Sequence, residues 1–239
     1  MIGVGTLVNT AAIIAGGTAG TFIKKGLPER FKNTVMQAIG LSVLIIGISG
    51  TLQGIYKITG NGDLDRQYIM TMIISLVVGG VLGELINIEK RLDKLGYWFQ
   101  NKFSNNSGGF AEGFITASLV YCVGAMAIVG SLEDGLTGNT KTLFAKAILD
   151  GISAIVFAST MGFGVVFSAV PVLVYQGSIT LLADFIKPWL TDAVIVQMSL
   201  VGSILIMGIA ITLLDIKKIK VGNLLPSIFM PLVYYLITK

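Results

Sequence analysis

Two charged residues, Lys146 and Asp150, interrupt the otherwise apolar run "FAKAILDGISAIVFAS". Their spacing of four residues places them on one face of a helix, where an ammonium and a carboxylate can pair. A lone charge near the centre of a bilayer costs roughly 2.5–3.5 kcal/mol on insertion scales. If this segment lies in a membrane, the two charges need a compensating role, and binding an ion or a solute is one such role.

More polar residues lie in the neighbouring apolar runs. Pro171 lacks a backbone donor and should kink the next helix, and the stretch "YQGS" follows it. Interruptions of this kind expose polar groups to cavities in membrane proteins. A structural polar seam between helices, with Lys146 extending outward, is the alternative interpretation. The predicted substrate- or ion-binding residues are Asp150, Lys146, Gln176, Ser178, Asn9 and Gln37.

A pair of acids, Glu133 and Asp134, ends the apolar run before Lys146. At the outer end of a membrane span the cost of a charge is small, so these residues could form the outer mouth of a pathway. The alternative is a solvated turn that leads through Asn139 and Thr140 into the next helix. The sequence leaves both interpretations open.

Composition identifies the solvent in which these elements fold. The chain of 239 residues is 54% hydrophobic and 13% charged, whereas a soluble domain carries roughly 25% charged residues. Its charges cluster between apolar runs of about 20 residues, the length that crosses roughly 30 Å of hydrocarbon. The sequence therefore predicts an all-α, polytopic transmembrane bundle. The net charge of +4 does not indicate nucleic acid, because the basic residues flank apolar runs.

The apolar runs predict eight spans. With the N-terminus outside, eleven of the seventeen basic residues fall in loops that face the cytoplasm. This bias favours eight spans with both termini outside the cell. The predicted spans are 2–22, 34–54, 68–88, 110–130, 143–162, 164–185, 193–214 and 222–238.

The chain between the third and fourth spans has an amphipathic pattern. In "INIEKRLDKLGYWFQNKF" the apolar residues recur at helical spacing opposite a charged face. This pattern predicts an interfacial helix over 89–104, acting either as an elbow or as a lipid sensor. We expect residues 1–239 to form one transmembrane domain, in which 1–88 and 110–215 are candidate halves of an inverted repeat.

Two glycine motifs, "GGTAG" and "GGVLG", have the small-xxx-small spacing that lets helices approach closely in lipid. They predict a compact bundle but do not indicate what it carries.

No enzyme motif is complete in this sequence. The chain has no histidine and one cysteine, Cys122, which excludes zinc and haem sites of the usual kinds. The stretch "GLTGNTKT" lacks the spacing of a phosphate-binding loop. We therefore expect neither catalysis nor a cofactor nor a bound metal.

Three stretches resemble a known family. "GTLVNTAAIIAGG", "GAMAIVGSLEDGL" and "KAILDGISAIVFASTMGFGVVFSAVPVLVYQGSITLLA" are similar to the bacterial membrane proteins catalogued as domain of unknown function 554, the YqgA and YdfK type. The resemblance covers essentially the whole chain. It implies a multi-pass protein of the bacterial cytoplasmic membrane, described as a candidate transporter, and assigns no substrate and no functional residues.

These observations favour transport of a small solute or ion across the cytoplasmic membrane, by a transporter or a channel. The alternative is a non-transporting scaffold or regulatory subunit whose glycine-rich faces bind partners. The expected partners are the lipid bilayer and a small solute or ion, with no nucleic acid, and a homo-oligomer is also consistent with the sequence.

The eight-span orientation can be tested by thiol labelling in a Cys122→Ala background. Because the basic residues favour cytoplasmic loops, Asn61→Cys and Asn139→Cys should react with a membrane-impermeant reagent added to intact cells. Asn105→Cys should react only after permeabilisation. External labelling at position 105 would contradict the predicted orientation.

Overall fold

The protein is described by a computed structural model that covers residues 2–24, 28–91, 94, 98, 109–122 and 125–238. Its described elements are almost entirely helical. They are α1 (Val4–Lys24), α2 (Glu29–Ile55), β1 (Tyr56–Ile58), β2 (Leu64–Arg66), α3 (Ile69–Ile86), α4 (Phe110–Cys122), α5 (Ala125–Thr137), α6 (Lys141–Met161), α7 (Gly164–Phe167), α8 (Ala169–Leu181), α9 (Ala183–Ile186), α10 (Asp192–Leu213), α11 (Val221–Leu224), a 3-10 helix (Leu225–Phe229) and α12 (Met230–Thr238).

The described helices have the length and hydropathy of membrane spans. Seven segments of 18 to 22 residues qualify singly within the described part of the chain, and a bent pair is the eighth candidate. Large apolar side chains cover the outside of these helices, such as Leu85 with 78% of its surface exposed, whereas Asn9 and Gln176 are fully buried. Apolar surface outside and polar groups inside suits a lipid solvent. The prediction of an all-α polytopic bundle is confirmed.

The bent pair consists of α4 and α5, which meet at 60°. Gly113 in α4 lies against Met161 at the end of α6, and Gly130 in α5 lies against Leu143 at its beginning. The pair therefore runs antiparallel to α6 over nearly its whole length, as a complete span does. The predicted span 110–130 is thus wrong in its end, because the second helix continues to Thr137, and the bend between α4 and α5 was not predicted.

The span that contains "YQGS" is interrupted before this stretch, and the predicted kink at Pro171 stays a prediction. Gly164–Leu181 has the properties of one span, but it is interrupted at Ser168 between α7 and α8. Pro171 has no N–H to donate to the carbonyl one turn earlier. At the break, the backbone N–H and the hydroxyl of Ser168 both donate to the Val165 carbonyl, at 3.1 and 2.6 Å.

The contacts within the chain define two compact units. Unit 1 contains residues 1–39 and 92–187, and unit 2 contains residues 40–91 and 188–239. These boundaries differ from the candidate repeat halves, and the inverted repeat stays a prediction. The interfacial helix predicted over 89–104 lies largely outside the described residues.

Glycines allow the helices of unit 1 to approach closely. In α1, a Cβ atom added to Gly16 would overlap the carbonyl oxygen of Gly151, and one added to Gly20 would overlap that of Ile155. Both glycine positions advance along α6 in the same direction, so α1 and α6 pack in parallel. The expected role of the "GGTAG" motif in tight helix packing is confirmed.

Unit 2 uses the same device twice. Gly47 and Gly54 of α2 lie against Met207 and Leu200 of α10, which places these two helices antiparallel. Gly83 of α3 meets the backbone of Asn223 in α11. The close approach of the "GGVLG" motif therefore also serves helix packing.

A short hairpin between α2 and α3 was not predicted. Its strands pair in antiparallel register, with Tyr56 opposite Arg66 and Ile58 opposite Leu64. Gly62 in the connecting turn has φ of 87°, a conformation that glycine adopts without strain.

The parallel contact between α1 and α6 can be tested by adding one methyl group. Gly16→Ala should lower the free energy of unfolding by about 1–3 kcal/mol, because the added Cβ overlaps the backbone of α6. Gly177→Ala is the matched control, since its added Cβ meets no atom within 4 Å apart from its chain neighbours and the nearby backbone of its own helix, and alanine should raise helix stability by about 0.5–1 kcal/mol. Thermal unfolding in detergent measures both. Equal stability of the Gly16→Ala variant and the unmodified protein would refute the close approach.

Candidate functional site

Lys146 and Asp150 form a buried ion pair on α6. The Lys146 Nζ atom lies 2.9 Å from Asp150 Oδ1 and 2.7 Å from Oδ2. Each side chain is only 8% exposed. The predicted pairing at a spacing of four residues is therefore present. The suggestion that Lys146 extends outward is wrong, because its ammonium is directed at the carboxylate.

Two amide side chains from other helices complete the surroundings of the ion pair. Asn9 of α1 donates from Nδ2 to Asp150 Oδ2 at 3.0 Å and to Gln176 Oε1 of α8 at 3.3 Å. Both amides are fully buried. Four of the six predicted site residues, from three helices of unit 1, are thus joined by hydrogen bonds.

Hydrogen bonding makes this pair tolerable in an apolar bundle. Moving one carboxylate-sized ion from water into a medium of dielectric about 4 costs on the order of 20 kcal/mol before any relaxation. Here Asp150 accepts bonds from Lys146 and Asn9, so both its oxygens are engaged. The two opposite charges cancel, and the site as a whole carries no net charge.

Asp150 also fixes the orientation of the amides. A carboxylate can only accept, so Asn9 must present its NH₂ group to Asp150. Asn9 Oδ1 then points elsewhere, and it has no hydrogen-bond partner. Gln176 accepts from Asn9 through Oε1, which leaves its Nε2 group without a partner as well. One buried acceptor and one buried donor are therefore available beside the ion pair.

Ser178 and Gln37 do not join this site. Ser178 lies two residues after Gln176 on α8, and positions two apart on a helix face different sides. Its side chain is exposed, and its hydroxyl donates to the Val174 carbonyl at 2.5 Å. Gln37 lies exposed on α2. The prediction of these two positions was wrong because composition gives no information about which face a helix buries.

Asp134 is not in a solvated turn, as one interpretation proposed, but in the last turn of α5. It is fully buried. Its Oδ1 and Oδ2 atoms accept the N–H groups of Gly3 and Gly5, each at 3.1 Å. These donors belong to the beginning of α1, where the N–H groups lack partners inside the helix and the dipole favours a negative charge. Asp134 therefore caps α1 from another helix.

Glu133 occupies a different environment from its neighbour. It is partly exposed, and its Oε2 accepts the hydroxyl of Thr142 at 2.7 Å. This bond ties the end of α5 to the beginning of α6. The sequence did not indicate that Asp134 would cap α1. The proposal that Glu133 and Asp134 form the outer mouth of a pathway stays a prediction.

Three buried hydroxyl groups of unit 1 were not predicted. Thr6, Ser131 and Thr180 are each at most 3% exposed, and their hydroxyl oxygens have no hydrogen-bond partner. Thr6 and Asn9 are three residues apart on α1, and Gln176 and Thr180 are four apart on α8. A search for polar residues one turn from the predicted amides would have found two of them.

Unit 2 holds a separate polar cluster that joins α3 to the beginning of α11. Glu84 accepts from Lys220 Nζ at 2.9 Å and from Asn223 Nδ2 at 2.5 Å. Asn223 Oδ1 in turn accepts the N–H group of Glu89 at 2.7 Å. The bond to Glu84 raises the pKa of Lys220. Because the side chains of Lys220 and Glu84 are both more than half exposed, this ion pair contributes little to the stability of the fold. We assign the cluster the role of joining the two helices.

Within the described part of the chain, no group of three or more Asp, Glu, His or Cys side chains is arranged to hold a metal ion.

The fold and the buried polar site define a multi-pass helical membrane protein. Its sequence belongs to the family "Protein of unknown function (DUF554)", which matches residues 4–236. "Uncharacterized membrane protein YdfK" from Bacillus subtilis (strain 168) is 39% identical over 227 residues, or 95% of this chain and 93% of the relative. "Uncharacterized protein YqgA" from Escherichia coli (strain K12) is 26% identical over 232 residues, or 95% of this chain and 94% of that relative. No solved structure matches the chain.

The ion pair can be tested by removing one charge and then both. Asp150→Asn keeps the size of the side chain but leaves Lys146 buried without a counter-charge, which should cost about 3–5 kcal/mol of unfolding free energy. The double variant Lys146→Met, Asp150→Asn removes both charges and should recover most of that loss. Thermal unfolding of both variants in the same detergent measures the difference. If Asp150→Asn is as stable as the unmodified protein, the two charges are not coupled in the fold.

Proposed function

We propose that the protein transports a small solute or ion across the cytoplasmic membrane and that the Lys146–Asp150 site in unit 1 binds the transported species. The observation that supports this most is the combination of a buried ion pair with two incompletely bonded amides. Ionisable residues inside membrane spans are costly to bury, and they commonly mark substrate or ion pathways. A bundle that only needed to pack could fill these positions with apolar residues at less cost.

The interrupted helix beside the site agrees with this proposal. Gln176 lies on α8, which follows the break at Ser168. Broken helices are common where transporters bind their substrates near the middle of the membrane. In this proposal the break lets Gln176 meet Asn9 while the rest of the span packs against neighbouring helices.

We further propose that the protein is not an enzyme. Asp150 is engaged by Lys146 and Asn9, and Lys146 is engaged by Asp150. Neither is free to act as a base or as a nucleophile in this arrangement. The Bacillus subtilis relative has the name of a membrane protein, which supports a membrane as the place of action, and the cytoplasmic membrane and the outside location of both termini stay predictions.

The transport proposal can be tested by flux into proteoliposomes. A panel of protons, alkali-metal ions, chloride and small metabolites is offered to the purified protein. Lys146→Met, Asp150→Asn should abolish the flux found with the unmodified protein, although the double variant keeps its stability. Because the fold survives, loss of flux reports on the site and not on unfolding.

Ser178→Ala is the matched control for this experiment, since Ser178 lies on the same helix as Gln176 but on the opposite, exposed side. Its flux should equal that of the unmodified protein. A folded protein that passes no member of the panel faster than empty liposomes would favour the scaffold or regulatory alternative. Full transport by the double variant would show that the Lys146–Asp150 pair is not needed for transport.

A further inference from the structure

Five buried polar side chains on three helices of unit 1 form a group that we call the polar track: Thr6, Asn9, Ser131, Gln176 and Thr180. Each has a nitrogen or oxygen atom without a hydrogen-bond partner. Buried polar atoms in proteins are nearly always satisfied, and each exception requires an explanation. Tyr121 of α4 and Ser199 of α10 are further exceptions, so five of the seven in the described residues lie on α1, α5 and α8, which contact one another, and one explanation can cover these five.

The positions of the track residues follow from contacts between the helices. Asn9 bonds to Gln176, which places α1 and α8 at the same level there. Asp134 bonds to Gly5, next to Thr6, and Gly135 lies against the Thr180 backbone. At 1.5 Å per helical residue, the track therefore extends over about one turn, or about 6 Å. One end lies at the beginning of α1, and the other lies at Asp150.

The track hydroxyls differ from most helical hydroxyls in the described residues. Thr10, Thr18 and Ser118 each donate to the carbonyl oxygen four residues earlier, at 2.5 to 2.8 Å. Ser131 and Thr180 also have a helical carbonyl four residues earlier, but they do not bond to it. Their hydroxyl groups therefore remain free to bond to a passing molecule.

The chemistry of the track favours a solute without net charge. Its unpartnered atoms include an acceptor in Asn9, a donor in Gln176 and hydroxyl groups that can do both. A cation would use only the acceptors, and an anion would use only the donors. The charges joined to the track by hydrogen bonds, Asp150 and Lys146, cancel each other. Asp134 is offset by the positive end of α1.

We propose that the polar track is the path by which a small uncharged solute that both donates and accepts hydrogen bonds passes between the beginning of α1 and the Lys146–Asp150 pair. This inference rests on the proposed transport function and narrows its substrate class. The ion pair serves in this path as a fixed donor and acceptor, and it holds Asn9 in the orientation that presents Oδ1.

The test uses glycerol and urea as uncharged probes, with sodium and chloride as ionic ones. Uptake into proteoliposomes is followed by stopped-flow light scattering for the uncharged probes and by entrapped indicators for the ions. The unmodified protein should admit glycerol or urea and exclude both ions. Thr6→Val and Thr180→Val keep the side-chain shape and should each lower that flux about fivefold to tenfold, the effect of one hydrogen bond lost from the path.

Thr18→Val is the matched control, because Thr18 lies on α1 but is only half-buried, and its hydroxyl donates to the Ile14 carbonyl of its own helix at 2.6 Å. Its flux should be unchanged. Thermal unfolding is measured in parallel. Thr6→Val and Thr180→Val remove hydroxyl groups that lack partners, so their stability should not fall, and a lower flux then cannot come from unfolding.

Three results would overturn the inference. Passage of sodium or chloride with exclusion of both uncharged probes would refute the substrate class while leaving the transport proposal intact. Unchanged glycerol or urea flux in both track variants would show that the path lies elsewhere. If none of the four probes passes, the inference fails, and the wider panel decides whether the protein transports anything.

Discussion

The burial of charge in an apolar bundle is the constraint on which the rest of unit 1 depends. Lys146 and Asp150 cannot be accommodated singly among helices that face lipid, so they have to meet on one face of α6. Asp150 still has acceptor capacity after pairing, and Asn9 of α1 supplies the donor. The position of α1 relative to α6 is therefore fixed by chemistry as well as by packing.

Close backbone contact makes that geometry accessible. An amide as short as that of Asn9 reaches Asp150 only if the two helices lie near each other. Gly16 and Gly20 permit this approach further along α1, where their missing side chains admit the carbonyl oxygens of Gly151 and Ile155. At the other end of α1, Asp134 satisfies the N–H groups of Gly3 and Gly5. Packing, capping and pairing thus hold the same helix at three levels.

Incomplete hydrogen bonding distinguishes a site from a seam in this structure. The cluster around Glu84 and Asn223 in unit 2 is also polar, but its charged members, Glu84 and Lys220, are more than half exposed, and its bonds close a connection between helices. The unit 1 cluster is buried and retains donors and acceptors that the protein does not use. Unused groups of this kind reduce stability, so a functional role is the reason we give for their presence.

Local features of the sequence determined the class of the protein and the placement of most spans. Apolar runs long enough to cross a bilayer predicted helices close to those observed, and a spacing of four residues predicted the ion pair on α6. The interruption of the span that contains Pro171 agrees with the sequence, since a missing N–H acts within one turn. These features depend only on neighbours in the chain.

Only the tertiary structure decided which polar residues share a site. Asn9 meets Asp150 across 141 positions of sequence, and Asp134 reaches Gly3 across 131. No local pattern indicates that Gln176 faces inward while Ser178, two residues later, faces outward, because both are polar and lie in the same helix. Hydropathy and helical period fix where a helix lies in the chain. The contacts between helices decide which face of each helix is buried. They bring four of the predicted residues together and leave Ser178 and Gln37 exposed, outside the site.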